Sequence, residues 1–159
     1  MLARDKTGSG KTMAFALPVI QKLREAHAFE DHDLVKFLIV LPTRELTIQV
    51  KDEIESLRFK NGPDFRLVAV YGQSNIHDQI DRINKGIDII VATPGRLIDL
   101  LKRGVIKMDK IQVLCLDEAD EMLKQGFKED VEQIYKYIKD NAPKKTQNLL
   151  FSATIPDWL

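Results

Sequence analysis

Arg4-Asp5-Lys6-Thr7-Gly8-Ser9-Gly10-Lys11-Thr12 stands almost at the start of the chain, and a helical pattern follows it directly. Glycines in a tight turn let backbone N–H groups point inward with no Cβ in the way. The helix behind the turn adds its unpaired first-turn donors and the positive end of its dipole. A turn of this kind wraps a polyphosphate. Thr7, Gly8, Ser9, Gly10, Lys11 and Thr12 would form the cradle, with Lys11 reaching the outer phosphates and the Thr12 hydroxyl ligating Mg²⁺. The strict form of this motif, G-x-x-x-x-G-K-[ST], places glycine where the chain has Asp5, so the loop needs support from downstream.

That support begins with periodicity. Met13, Ala16, Leu17, Ile20 and Leu23 recur at helical spacing and predict a helix from Lys11 to about Ala26, kinked at Pro18. His27 to Asp33 is polar and reads as an exposed loop, with His27, His32 and His77 as surface histidines. The continuous apolar run Phe37-Leu38-Ile39-Val40-Leu41 predicts a strand covered on both faces. Helix 44–58 follows, with Leu46, Val50, Ile54 and Leu57 inward, then a turn at Asn61-Gly62-Pro63-Asp64 and a strand over 66–71. Ile76, Ile80 and Ile83 mark a helix that Lys85-Gly86 ends. A strand over 87–92 precedes a helix opened by a Thr93 hydroxyl cap and Pro94, with Leu97, Ile98, Leu100 and Leu101 as its apolar side.

A strand over 112–116, a helical stretch with Phe127, Val131, Ile134, Tyr135 and Ile138 inward, and a strand over 148–151 complete the pattern. Strands alternating with helices predict a three-layer α/β/α domain on a parallel sheet. Ligands of such sheets bind beyond the carboxyl ends of the strands.

The 159 residues are one domain's worth, and 24 basic residues balance 24 acidic ones, so no global basic field advertises a nucleic-acid partner. The lone Cys115 excludes an internal disulfide, fits a reducing intracellular setting, and reads as a buried thiol in an apolar run. No apolar stretch approaches the roughly 20 residues that span a bilayer. Met1-Leu2-Ala3 is short for the strand that normally feeds a phosphate loop, and the chain stops at Pro156-Asp157-Trp158-Leu159. It reads as a piece of a longer protein.

Each later motif follows a strand. Asp117-Glu118-Ala119-Asp120 comes after strand 112–116, where Asp117 can hold Mg²⁺ through its water shell and Glu118 can orient or deprotonate a water. An acidic helix start favoured by the dipole is the plainer reading, and its weight falls beside Lys11-Thr12. Pro42-Thr43-Arg44-Glu45-Leu46, Thr93-Pro94-Gly95-Arg96 and Ser152-Ala153-Thr154 also stand at strand ends. Thr43 and Thr93 open helices, where backbone N–H groups and a nearby Arg suit phosphate oxygens without reading bases. Arg44 and Arg96 as ordinary surface ion-pair residues remain the alternative.

The set TGSGKT, PTREL, TPGR, DEAD and SAT, in this order, resembles the first RecA-like domain of a DEAD-box RNA helicase across essentially the whole chain. The opening ARDKTGSGKT is most similar to the nucleolar Gu-type subgroup, and the family's usual Gly-Gly after the third strand reads Gly72-Gln73 here. The resemblance implies a P-loop NTPase fold for residues 1–159 and an RNA-stimulated ATPase that uses ATP and Mg²⁺. Lys11, Asp117 and Glu118 would be catalytic, with Thr12 and Asp117 serving the metal. Asp120, Ser152 and Thr154 would couple hydrolysis to the RNA side, and Pro42, Thr43, Arg44, Gly72, Thr93, Pro94, Gly95 and Arg96 would contact RNA.

It further implies an upstream glutamine-containing element for adenine, a second RecA-like domain as partner, no membrane partner, and a nuclear, nucleolar or cytoplasmic site. The isolated chain would then be nearly inactive, since an arginine finger from the second domain can be worth about 10³–10⁵ in rate. Two rival classes stay open: an ATPase indifferent to nucleic acid, and a non-catalytic RNA-binding or scaffolding module that has kept the fold.

Overall fold

A computed structural model describes residues 2–3, 10–58, 64–142 and 146–154. Its six strands are β1 (Leu2–Ala3), β2 (Phe37–Val40), β3 (Leu67–Val70), β4 (Ile89–Ala92), β5 (Val113–Leu116) and β6 (Gln147–Phe151). They form one parallel sheet in the order β1-β6-β5-β2-β4-β3. The helices are α1 (Lys11–Glu25), α2 (Arg44–Glu55), α3 (Ile76–Asn84), α4 (Pro94–Lys102), α5 (Ala119–Lys124) and α6 (Lys128–Asn141).

Side chains of a strand alternate between faces, and here both faces are dry. Phe37, Ile39, Val91 and Cys115 join the core beneath α1 and α2, while Leu38, Val40, Ile90 and Leu114 join the core beneath α3 to α6. Ile39 of the central β2 pairs in register with Val91 on one side and Cys115 on the other. Each such side chain, fully buried, contributes about 1.5–3 kcal/mol, so the apolar run is what makes β2 central. The right-handed crossover rule then explains the layers: chain moves in one direction across the sheet place α1 and α2 on one face, and reverse moves place α3 to α6 on the other. Burial pushes the Cys115 thiol well above its ordinary pKa.

Several expectations need correction. Leu17 is 45% and Tyr135 47% exposed, so neither belongs to the inward stripes, whereas Phe15 and Val19 do. The helical arc of α1 is centred between the two registers, and Pro18 lies within it on the exposed side. The stretch after β5 is two helices, parted where Gly126 takes φ 82°. The segment 27–33 is not wholly exposed: Phe29 is buried and tilts against Phe65 at 5.8 Å between ring centroids. One large ring outweighs its polar neighbours. His32 is a surface histidine only in part, because its Nδ1 lies 2.6 Å from Oδ2 of the fully buried Asp88.

Asp88 anchors the amino end of the sheet. The Lys36 ammonium donates to its Oδ1 at 2.9 Å and the Arg66 backbone N–H to its Oδ2 at 2.7 Å. Lys36 also donates to the Asp31 carbonyl. Backbone bonds from Lys36 N–H to the Asp88 carbonyl (2.8 Å) and from Asp88 N–H to the Arg66 carbonyl (2.9 Å) lock β2, β4 and β3 together there.

Candidate active site

Because β5 and β6 are neighbours in the sheet, the segments that leave these two strands share one corner of the carboxyl edge. Thr7, Gly8 and Ser9 lie outside the described residues. Gly10 takes φ 80° at the start of α1, a left-handed conformation suited to glycine, and its carbonyl accepts from Ala14 N–H at 3.2 Å. From Gly10 the chain enters α1 with Lys11 against the end of β5 and Thr12 buried. Lys11 Nζ lies 2.6 Å from Asp117 Oδ1 and donates to Glu118 Oε1 at 3.0 Å. More than a hundred residues of sequence close in that contact.

Glu118 is held in an unusual way. Its φ of 54° and ψ of 45° are left-handed, which a bulky residue adopts only when its surroundings impose it. Its backbone N–H donates to Asp117 Oδ1 at 2.9 Å, fixing the Asp117 carboxylate against the Glu118 main chain. Burial pushes the Asp117 carboxyl above the usual range, against the pull of Lys11. Burial alone would lower the Lys11 pKa, but the hydrogen bonds and charges of Asp117 and Glu118 raise it, so the ammonium keeps its proton.

Gly10, Lys11, Thr12, Asp117 and Glu118 line one cleft, closed on its far side by Leu46, Gln49, Val50 and Glu53 of α2. Among the described residues no three His, Cys, Asp or Glu side chains converge to cage a metal. A hydroxyl and a carboxylate beside an ammonium are a sparse, hard donor set. That suits Mg²⁺ held mainly by water and phosphate, and it does not suit zinc.

Asp120, Ser152 and Thr154 also meet. Asp120 N–H donates to Ser152 Oγ at 3.1 Å, Ala153 N–H to Asp120 Oδ1 at 3.4 Å, and Thr154 Oγ1 to Asp120 Oδ2 at 3.3 Å. Burial would raise the Asp120 pKa, but these donors outweigh it and hold the carboxyl below its usual value.

Farther along the same edge are the segments after β2, β3 and β4. Thr43 caps α2 by accepting from Leu46 N–H at 3.2 Å. The expected Thr93 cap does not form. Pro94 fills the first position of α4, but the Thr93 hydroxyl makes no bond to that turn, whose N–H groups keep no side-chain cap. Neither Arg44 nor Arg96 pairs with a carboxylate among the described residues, which removes the ordinary ion-pair reading. Arg44 stacks over the Tyr71 ring at 5.1 Å and donates to the Gln73 carbonyl at 3.4 Å. Gln73 takes φ 57°, so this backbone adopts a glycine-like conformation despite its side chain. Pro42 is buried, while Gly72 and Gly95 have open space where a Cβ would stand.

Sequence reasoning missed Gln79, which is buried and bonded to the segment after β3 and to Arg96. The signal was a polar residue at helical spacing among Ile76, Ile80 and Ile83.

A parallel sheet in this strand order, with an ammonium and an acidic pair at its carboxyl corner, is the three-layer architecture of a RecA-like domain. The chain belongs to the DEAD/DEAH box helicase family, whose model matches residues 1–159. It is 43% identical over 157 residues to the DEAD-box ATP-dependent RNA helicase CshA of Streptococcus pneumoniae, covering 99% of this chain and 28% of that protein. It is 42% identical over 160 residues to DEAD-box ATP-dependent RNA helicase 9 of Oryza sativa, covering all of this chain and 24% of that one. The chain thus spans about a quarter of the length of these relatives. The crystal structure of the yeast DEAD-box splicing factor Prp28 superposes with a TM-score of 0.91 at 33% identity over 99% of this chain and 37% of that one. DEAD-box helicase Mss116 bound to ssRNA and UDP-BeF gives 0.85 at 34% identity, over 99% and 32%.

Proposed function

We propose that the chain is the ATP-binding domain of an ATP-dependent RNA helicase. It couples ATP binding and hydrolysis to duplex unwinding or ribonucleoprotein remodelling through contacts to the RNA backbone that do not read sequence. The observation that carries this reading is the 2.6 and 3.0 Å approach of Lys11 to Asp117 and Glu118. A phosphate-loop lysine and an acidic pair share one cleft.

Lys11 would exchange part of its hold on the two carboxylates for the outer phosphates of ATP. Thr12 and Asp117 would hold Mg²⁺, which, when bound, offsets charge on those phosphates. Glu118, fixed by its backbone bond to Asp117, would orient a water and accept its proton. Asp120, tied to Ser152 and Thr154, would carry a shift of the acidic turn to the end of β6. Arg44, Arg96 and the start of α4 would grip phosphates, as a helix N-terminus favours. A second RecA-like domain and an upstream adenine-recognition element belong to the same proposal.

The test is ATP hydrolysis by the full-length protein with and without single-stranded RNA, with Glu118→Gln as control. Hydrolysis should rise with RNA, and the variant should lose about 10²–10⁴ of turnover while still binding ATP. Hydrolysis indifferent to RNA, or a variant as fast as the parent, overturns the reading.

A further inference from the structure

Gln79 is 5% exposed on the inner side of α3. A buried amide left without partners is destabilising, so its bonds decide why it is there. Its Nε2 donates to the Tyr71 carbonyl at 3.0 Å and to Ser74 Oγ, and its Oε1 accepts from Arg96 Nη1 at 3.2 Å. Ser74 Oγ in turn donates to the Tyr71 carbonyl at 3.0 Å, and Arg96 Nη2 donates to the Ser74 carbonyl at 3.2 Å. The segment 71–75 is thereby held at two places, by Arg96 after β4 and by Arg44 after β2 through Tyr71 and Gln73.

We propose that Gln79 is a positioning residue that fixes the segment 71–75 and the Arg96 guanidinium relative to each other, setting the spacing of Arg44 and Arg96 for an RNA backbone. This rests on the RNA-helicase reading. Arg96 spends two of its N–H donors on the protein and keeps others for phosphate, already oriented. Holding such a side chain in advance saves ordering cost when the ligand arrives. The acceptor is what holds Arg96, and the donor adds a tie to the segment 71–75. Glutamate keeps the acceptor and methionine keeps neither.

The test uses the full-length protein and a single-stranded uridine homopolymer, reading the RNA concentration that half-saturates ATP hydrolysis. Gln79→Met should raise that concentration about tenfold, with half-saturation by ATP and RNA-free hydrolysis unchanged. In an Arg96→Met background the same change should add less than about twofold, because its effect runs through Arg96. Gln79→Glu, which still holds Arg96, should stay within about threefold of the parent and keeps the test valid where the methionine variant folds poorly. An unchanged Gln79→Met, a full effect without Arg96, a parallel loss of ATP affinity, or a glutamate variant as weak as methionine overturns the proposal. A parent protein that RNA never stimulates overturns the RNA-helicase reading itself, and this inference with it.

Discussion

The sheet carries a buried lysine–aspartate pair at each end, and the two are built for opposite purposes. At the amino end, Lys36 and Asp88 are 3% and 0% exposed, and Asp88 is saturated by Lys36, His32 and the Arg66 N–H. At the carboxyl end, Lys11 faces two carboxylates at once, its partner Asp117 is pushed toward the protonated form by burial, and Glu118 holds a strained backbone. A charge with every bond made locks strands in register. A charge offered more carboxylate than it can neutralise stays ready for exchange. Burial alone therefore does not mark a functional ion pair; an excess of one charge and local strain do.

The sharpest way to break this contrast is to remove one member at each end. Asp88→Ala leaves the Lys36 ammonium buried without its carboxylate and should cost about 3–5 kcal/mol in urea unfolding, with hydrolysis per folded molecule unchanged. Lys11→Met should stop hydrolysis while moving the urea midpoint less than Asp88→Ala does, because Asp117, already pushed toward its neutral form by burial, can take up a proton. If Lys11→Met unfolds the protein while Asp88→Ala leaves it stable, the two ends have been misread.

A smaller effect sharpens the amino end. Gly86 takes φ 106°, and a Cβ there would run into the Arg66 guanidinium and lie 3.0 Å from the His32 carbonyl. Gly86→Ala should cost about 1–3 kcal/mol in thermal or urea unfolding, again without touching hydrolysis.

The smallest effect is in pH. The folded pKa of Asp120 lies below its ordinary 3.8, so the native state binds fewer protons near that pH than the unfolded chain. Its contribution is complete above that value and is lost as pH falls through the folded pKa. Parent and Asp120→Asn should differ in urea midpoint at neutral pH and converge in acid. A gap that widens toward acid contradicts the assigned bonds.

Much of this was legible in the sequence because its physics is local or periodic. The run Phe37–Leu41 reads as a strand covered on both faces, and Lys85-Gly86 as the end of a helix. Lys11 and Asp117 were paired from motif chemistry before any distance was known. What escaped reading depends on three-dimensional neighbours. Asp88 and His32 are 56 positions apart, and no pattern within either segment announces their bond. Leu17 and Tyr135 look like core residues until the arc of each helix is fixed by what it packs on. The Thr93 cap, read from residue type and position alone, is not made.

Cys115, flanked in register by Ile39 of β2, has a thiol that burial keeps protonated and unreactive. A maleimide or a disulfide reagent can reach that sulfur only when the middle of the sheet comes apart. The molecule thus carries a built-in clock for global opening, insensitive to fraying at its margins, with its single sulfhydryl as the only hand.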